Sequence, residues 1–457
     1  MSFLEIAYTF NVFLTVCPAI SFRRIGALIV AGEKGWAITS LTKQSKSQAP
    51  SNSQRRRLFT VEVLYCTMEP CISNVILLAV LSFFCWAGSV SALAALPVVF
   101  DSSNTLHRDL QYHPEQPARI SETIKALVAQ KRISDNLQLH LIDVAPSEAK
   151  NDFYEENEID SDLIQQAPFT TDELDQAHRA LQQTHPDGLV DRLEESCNNA
   201  RERRIQEGKQ ALGHMGYMDP DTYATTETFN VCVRATAAWI KALELAHSSG
   251  RPAMALTRPP GHHATGDCSN GFCIFNFAAA TAIHALQDTT KRVSILDFDV
   301  HYGQGVAEII QNIPKARYVS IHQTPAFPYL GESLEVMGKY QNVKTVPIAA
   351  ESSWTCGYQH VYQKALDFVS NPGEWTPDVV IVCAGYDALD SDELASCSLQ
   401  AKDYGRMTEL LIEHLEATTV KKRPTIMFGL EGGYQLSEFA GGGNLQQAIL
   451  ATLQAMT

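Results

Sequence analysis

VSILDFDVHYGQG (293–305) places a short apolar run directly ahead of acidic and imidazole side chains at alternate positions, Asp297, Asp299 and His301. Four other stretches repeat the arrangement. AMALT (253–257) leads into Arg258-Pro-Pro-Gly-His-His263, and RYV (317–319) into Ser320-Ile-His322. VVIVC (379–383) leads into Ala384-Gly-Tyr-Asp387, and TIMFG (425–429) into Leu430-Glu-Gly-Gly-Tyr434. Such runs read as buried strands, and LPVVFD (96–101) as the first of them. Helical spacing fills the gaps at 117–132, 171–183, 228–246, 276–287, 304–312, 357–369, 400–416 and 442–456. This alternation predicts an α/β fold in three α/β/α layers, with a mainly parallel sheet. Ligands of such sheets bind beyond the carboxyl ends of the strands. Polar residues spread over about 180 positions are therefore expected to meet in one crevice.

The chain has 457 residues, of which 45% are apolar, enough to bury a large core. Its net charge of −15 is unevenly spread. Residues 1–61 hold eight Lys/Arg against Glu5 and Glu33, a surplus of +6, so the other 396 residues carry −21. An acidic body argues against direct nucleic-acid binding and suits a basic substrate. Eleven cysteines stand at irregular spacings without a Cys-x-x-Cys pair, so neither a disulfide framework nor a zinc ribbon is indicated.

Residues 1–95 differ from the rest and read as an N-terminal extension to a domain spanning 96–457. QSKSQAPSNSQRRR (44–57) has linker composition, and the basic, acid-poor character of 1–61 is similar to that of an organellar targeting segment. VILLAVLSFFCWAGSVSALAAL (75–96) is long enough to cross a bilayer as a helix, so membrane association is one reading. A buried core helix, a cleaved signal or a start assigned too far upstream are the others. DFYEENEIDSD (152–162) reads as a solvated acidic loop, and Gly441-Gly-Gly443 as a turn before the last helix.

Asp299 and His301 stand two apart at a strand end and can face one side. With Asp387 from another strand they make one imidazole and two carboxylates, a donor set with room for a fourth ligand. That composition suits catalytic zinc and also admits Fe(II), Mn(II) or Co(II). Alone, an Asp-x-His is as easily a surface turn. His262 and His263 follow a stiff Pro-Pro-Gly turn, and beside a metal one of them could move a proton. Tyr434, after two glycines, could donate to an oxyanion.

Together these residues resemble the histone deacetylase family, within the arginase/deacetylase superfamily. The resemblance covers 96–457 and includes His107-(x)5-His113-Pro-Glu-(x)-Pro-(x)-Arg119; the wording GYDALDSDELAS (385–396) is most similar to plant class II-type and bacterial members. It implies an eight-stranded sheet and a hydrolase in which metal-activated water cleaves N-ε-acetyl-lysine. Asp299, His301 and Asp387 would hold one Zn²⁺, His263 would be general base and then acid, and His262 its electrostatic partner. Tyr434 would polarise the acetyl carbonyl. Gly271 and Phe272 would line the acyl-lysine channel, and Asp221 would bind the substrate backbone. Asp297 would support His262 and join Ser320 and backbone carbonyls in a structural K⁺ site. His107 and His113 are read as holding loops together, and Glu431 as a buttress of the Tyr434 loop.

The sequence departs from the family at Tyr302, where a second histidine is usual, and at Gln304, where an Asp or Asn backs the general base. A neutral amide there should leave His263 less basic than a carboxylate would. Leu394 falls near the position where polyamine-selective members carry an acid, with Glu393 beside it. The expected substrate is a histone tail, tubulin or another acyl-lysine protein. An acetylpolyamine or small-amide hydrolase is the alternative, and an inert deacetylase-like scaffold a reading of another class. The resemblance implies nucleus or cytoplasm, whereas the N-terminal segment allows a membrane-anchored or organellar location.

Overall fold

Ten strands make the central sheet of this computed structural model, which describes residues 9–12, 25–32, 35–41, 62–64, 95–133, 137–146, 150–419, 423–437 and 443–457. The chain divides into two compact units, Met1–Ala92 and Leu93–Thr457. In the first, Thr9–Val12, Ile25–Gly32, Gly35–Leu41 and Glu62–Leu64 pair as a four-stranded antiparallel sheet. The linker reading of 44–57 and the apolar residues 75–94 lie outside the described residues. Among the described residues no helix is long and apolar enough to cross a membrane.

The second unit runs β1 (Leu96–Phe100), β2 (Leu139–Asp143), β3 (Ile164–Gln166), β4 (Ala253–Leu256), β5 (Val293–Asp297), β6 (Ala316–Gln323), β7 (Glu335–Met337), β8 (Val343–Ile348), β9 (Val379–Ala384) and β10 (Thr425–Leu430). Across the sheet the order is β7-β8-β6-β5-β9-β10-β4-β1-β2-β3, parallel except for β7. The sheet thus has ten strands rather than eight. The two short edge strands β3 and β7 carry three residues each and bury little, so they leave no apolar run to read. The acidic stretch at 152–162 is not wholly a loop either. Lys150–Glu156 is helical, because Phe153 and Tyr154 are buried and the Tyr154 hydroxyl donates to Asp143 at 2.6 Å.

Alternate strand residues feed two cores. Val98, Leu296, Val380, Val382 and Phe428 face one layer, built from α1 (Ala118–Ile133), α7 (Tyr358–Val369), α8 (Ala401–Thr418) and α9 (Leu445–Ala455). Val99, Ile295, Ile381 and Met427 face the other, built from α2 (Thr171–Thr184), α3 (Leu189–Gln206), α4 (Thr228–Ser249), α5 (Phe277–Ala285) and α6 (Gln304–Ile310). Burying strands on both faces is what makes their sequences continuous apolar runs. The decisive feature lies between neighbours β5 and β9. The chain leaves β5 for α6 on one face and leaves β9 for α8 on the other, so the loops part and a crevice opens above the sheet.

Candidate active site

Beyond Asp297, Phe298 and Val300 turn into the first core, while Asp299 and His301 turn toward Asp387. Asp387 arrives three residues past the end of β9. One ligand atom from each of Asp299, His301 and Asp387 lies within 4.8 Å of the others. Both carboxylates are buried, and the His301 side chain is 12% exposed. The His301 Nδ1 stands 3.1 Å from Asp387 Oδ2 and 3.3 Å from Asp299 Oδ1. Backbone amides hold the carboxylates from behind: Gly432 N–H donates to Asp299 Oδ2 at 2.7 Å, and Val300 N–H to Asp387 Oδ1 at 2.9 Å. A Cβ on Gly385 would fall on the Asp299 carboxylate and one on Gly432 on that of Asp387, so both positions require glycine. Two carboxylates sealed from water demand cationic compensation. The donor set therefore fits a divalent ion.

The adjacent imidazoles of His262 and His263 lie 3.9 Å apart between centroids, yet their surroundings oppose each other. His262 Nδ1 meets Asp297 Oδ2 at 3.1 Å, and its Nε2 lies 3.6 Å from Asp299 Oδ1. Burial alone would lower its pKa, but Asp299 and Asp297 reverse this and raise it to about 10. His263 Nδ1 pairs with the Gln304 amide oxygen at 2.7 Å. Burial, then the neighbouring His262 and His301, push its pKa well below the usual imidazole value. The surroundings thus favour the imidazolium form of His262 and the neutral form of His263. Asp299 is pushed up by burial, but the His262 and His301 charges outweigh this and hold it well below the carboxylate range.

Glu431 does something other than the sequence reading expected. Its Oε2 accepts from Gly261 N–H at 2.6 Å and His262 N–H at 3.1 Å, so it supports the histidine turn rather than the tyrosine loop. That loop is held by Arg119, whose Nε donates to the Gly433 carbonyl at 2.8 Å and whose Nη2 reaches the Glu431 carbonyl. The guanidinium sits 4.7 Å from the Tyr434 ring centroid. Burial raises the phenol pKa well above its ordinary value, so it remains a donor.

Residues 113–447 match the histone deacetylase domain family. The chain belongs to this family. Rice "Histone deacetylase 10, chloroplastic" is 32% identical over 231 residues, covering 48% of this chain and 50% of that one. "Acetylpolyamine amidohydrolase 1" of Pseudomonas aeruginosa is 33% identical over 232 residues, covering 49% of this chain and 63% of the relative. Each match thus spans under two thirds of the relative's own length. The crystal structure of the HDA15 HD domain superposes with a TM-score of 0.59 at 24% identity, over 80% of this chain and 91% of that one. As a member of the deacetylase family the chain is a hydrolase of that type.

Aromatic side chains gather beside Tyr434. Phe272 meets the Tyr434 ring edge-on at 5.6 Å and adopts a left-handed φ of 67°. Gly271, also left-handed, packs so closely on Phe327 and His263 that a Cβ would clash with both. Phe327 was not singled out in the sequence, because TPAFPYL (324–330) offers only turn signals; its ring stands 4.9 Å from His263. The Gly271 amide is held by Asp219 at 2.9 Å, whereas Asp221 is exposed at the rim. Burial and the adjacent Asp219 raise the Asp221 pKa to about 6.

Of the expected K⁺ ligands, Asp297 and Ser320 are register partners across β5 and β6. The Ser320–His322 stretch belongs to β6 itself, not to a loop after it. Ser320 Oγ pairs with His322 Nδ1 at 2.9 Å, and the Tyr318 hydroxyl donates to Asp297 Oδ2 at 2.7 Å. Tyr302 packs on the His322 ring at 4.7 Å. His107 and His113 do hold loops, through Thr228 Oγ1 at 2.8 Å and the Asp221 carbonyl at 3.0 Å.

Proposed function

We propose that the chain is a zinc-dependent protein-lysine deacetylase that releases acetate from N-ε-acetyl-lysine of histone tails or other acylated proteins. The carrying observation is the division of labour between His262 and His263 beside a three-ligand cluster. Asp299, His301 and Asp387 would hold Zn²⁺, which when bound supplies Lewis acidity and lowers the pKa of a water to about 7. His263, neutral and aligned by Gln304, takes a proton at Nε2 and later returns it to the leaving lysine nitrogen. His262, kept cationic by Asp297 and Asp299, favours the negative charge that develops beside it. The Tyr434 hydroxyl donates to the former carbonyl oxygen. Gly271, Phe272 and Phe327 wall the aliphatic stem and exclude water, and Asp221 binds the substrate backbone. Asp297 and Ser320, with carbonyls of Asp299, His301 and Ile321, would hold K⁺ and stiffen the ligand loop.

Protein lysine is favoured over acetylpolyamine by the rim. Glu393, the acid beside Leu394, accepts a hydrogen bond from the Tyr112 hydroxyl at 2.9 Å, which ties it to the exposed segment that bears Leu110. Leu110 and Tyr112 on the same rim are 81% and 74% exposed, a surface suited to a polypeptide. The test is turnover of an acetyl-lysine peptide and of N-acetylputrescine after chelation and Zn²⁺ re-addition. Zinc-restored peptide turnover that exceeds polyamine turnover supports the reading; the reverse ranking transfers the enzyme to polyamines.

A further inference from the structure

Asp392 lies in the loop that follows Asp387, 7% exposed, and three backbone amides surround its carboxylate. Oδ2 accepts from Tyr434 N–H at 2.7 Å and Gln435 N–H at 3.3 Å, and Oδ1 accepts from Leu394 N–H at 3.0 Å. A buried carboxylate is costly to desolvate, and a plain turn could be closed by a neutral side chain. What this carboxylate fixes is the peptide plane from which the Tyr434 ring departs. Arg119 grips the preceding residue from the other side, through the Gly433 carbonyl. The peptide that enters Tyr434 is therefore gripped at its carbonyl by Arg119 and at its N–H by Asp392, and Asp392 also takes the N–H of the peptide that leaves it. The same loop is tied further on, where Ser391 Oγ donates to the Gly443 carbonyl at 2.9 Å.

We infer that Asp392 is a positioning residue for Tyr434, coupling the loop that bears Asp387 to the loop that bears the oxyanion donor. The inference rests on the proposed role of Tyr434. Its contribution is expressed through the phenol and not through substrate binding or metal retention. The experiment is a double-mutant cycle in the full-length, metal-loaded protein: wild type, Asp392→Ala, Tyr434→Phe and both together. Asp392→Ala is expected to lower kcat roughly 10- to 100-fold with KM little changed, as a misaligned oxyanion donor would. In the Tyr434→Phe background the same change should cost less than about threefold, since its target is already gone. Asp392→Asn, which keeps the volume and one acceptor, should retain part of the activity and replaces the alanine variant if that one fails to fold. Amide exchange at Tyr434 and Gln435 should quicken in either variant while metal content holds. Losses that multiply independently, or that follow metal content, overturn the inference and leave the function standing. Full turnover by Tyr434→Phe overturns both.

Discussion

Two adjacent histidines occupy opposite electrostatic worlds. The His262 side of the crevice is lined by Asp297, Asp299 and Glu431, all buried. The His263 side offers the Gln304 amide and the aromatic face of Phe327. Identical side chains, one residue apart, are thereby driven to opposite protonation states. The lesson is that acid and base assignments come from the neighbours a residue is given, not from its type.

The strongest way to break this comparison is to remove each imidazole in turn. His263→Ala should lower kcat by on the order of 10²- to 10⁴-fold, the range for a general base, and His262→Ala by distinctly less. Equal losses in steady-state assays would erase the division. Next in size is Gln304→Glu. A carboxylate in place of the amide that lies 2.7 Å from Nδ1 favours imidazolium, so the acidic limb of the kcat/KM profile should move up by about one pH unit or more. An unmoved limb would mean that His263 is not the titrating base.

A third effect concerns stability. The His262 pKa is raised in the folded state, to about 10. Its contribution is thus fully present below the unfolded value of about 6.5 and is lost as pH rises through the folded one. Metal-stripped protein should lose thermal stability between those limits, and Asp297→Asn should flatten that slope. A slope of the same size in both proteins would deny His262 its charge. The smallest effect belongs to the rim. Asp221→Asn should raise KM for a peptide roughly two- to tenfold, the worth of one hydrogen bond, and leave N-acetylputrescine unaffected.

Much of this was legible because strands buried on both faces announce themselves as apolar runs, and the loops after them carry the polar residues. Asp299, His301 and Asp387 could be placed together on that ground, and the family resemblance supplied their expected roles. Other parts left no local trace. β8 has a polar Lys344 and a proline in its span, and β2 opens with His140 in second place. The helix α3, LVDRLEESCNNARERRIQ, buries only Leu189, Val190, Leu193 and Cys197, too narrow a stripe to show periodicity. Phe327, Asp219 and Asp392 act through tertiary partners far away in sequence. The mistaken buttress, Glu431, shows the same limit, since nothing near it in sequence reveals that its carboxylate reaches Gly261.

Gly432 has a consequence beyond leaving room. Its N–H holds the Asp299 carboxylate, and its carbonyl accepts the Tyr386 N–H at 3.1 Å, next to Asp387. One residue just beyond β10 thus bridges the ligand loops of β5 and β9, so the spacing between them depends on the ends of three strands at once. Any ion held by the proposed ligands would therefore meet a spacing that backbone hydrogen bonds help to fix, and the glycine acts as a caliper set between the two loops.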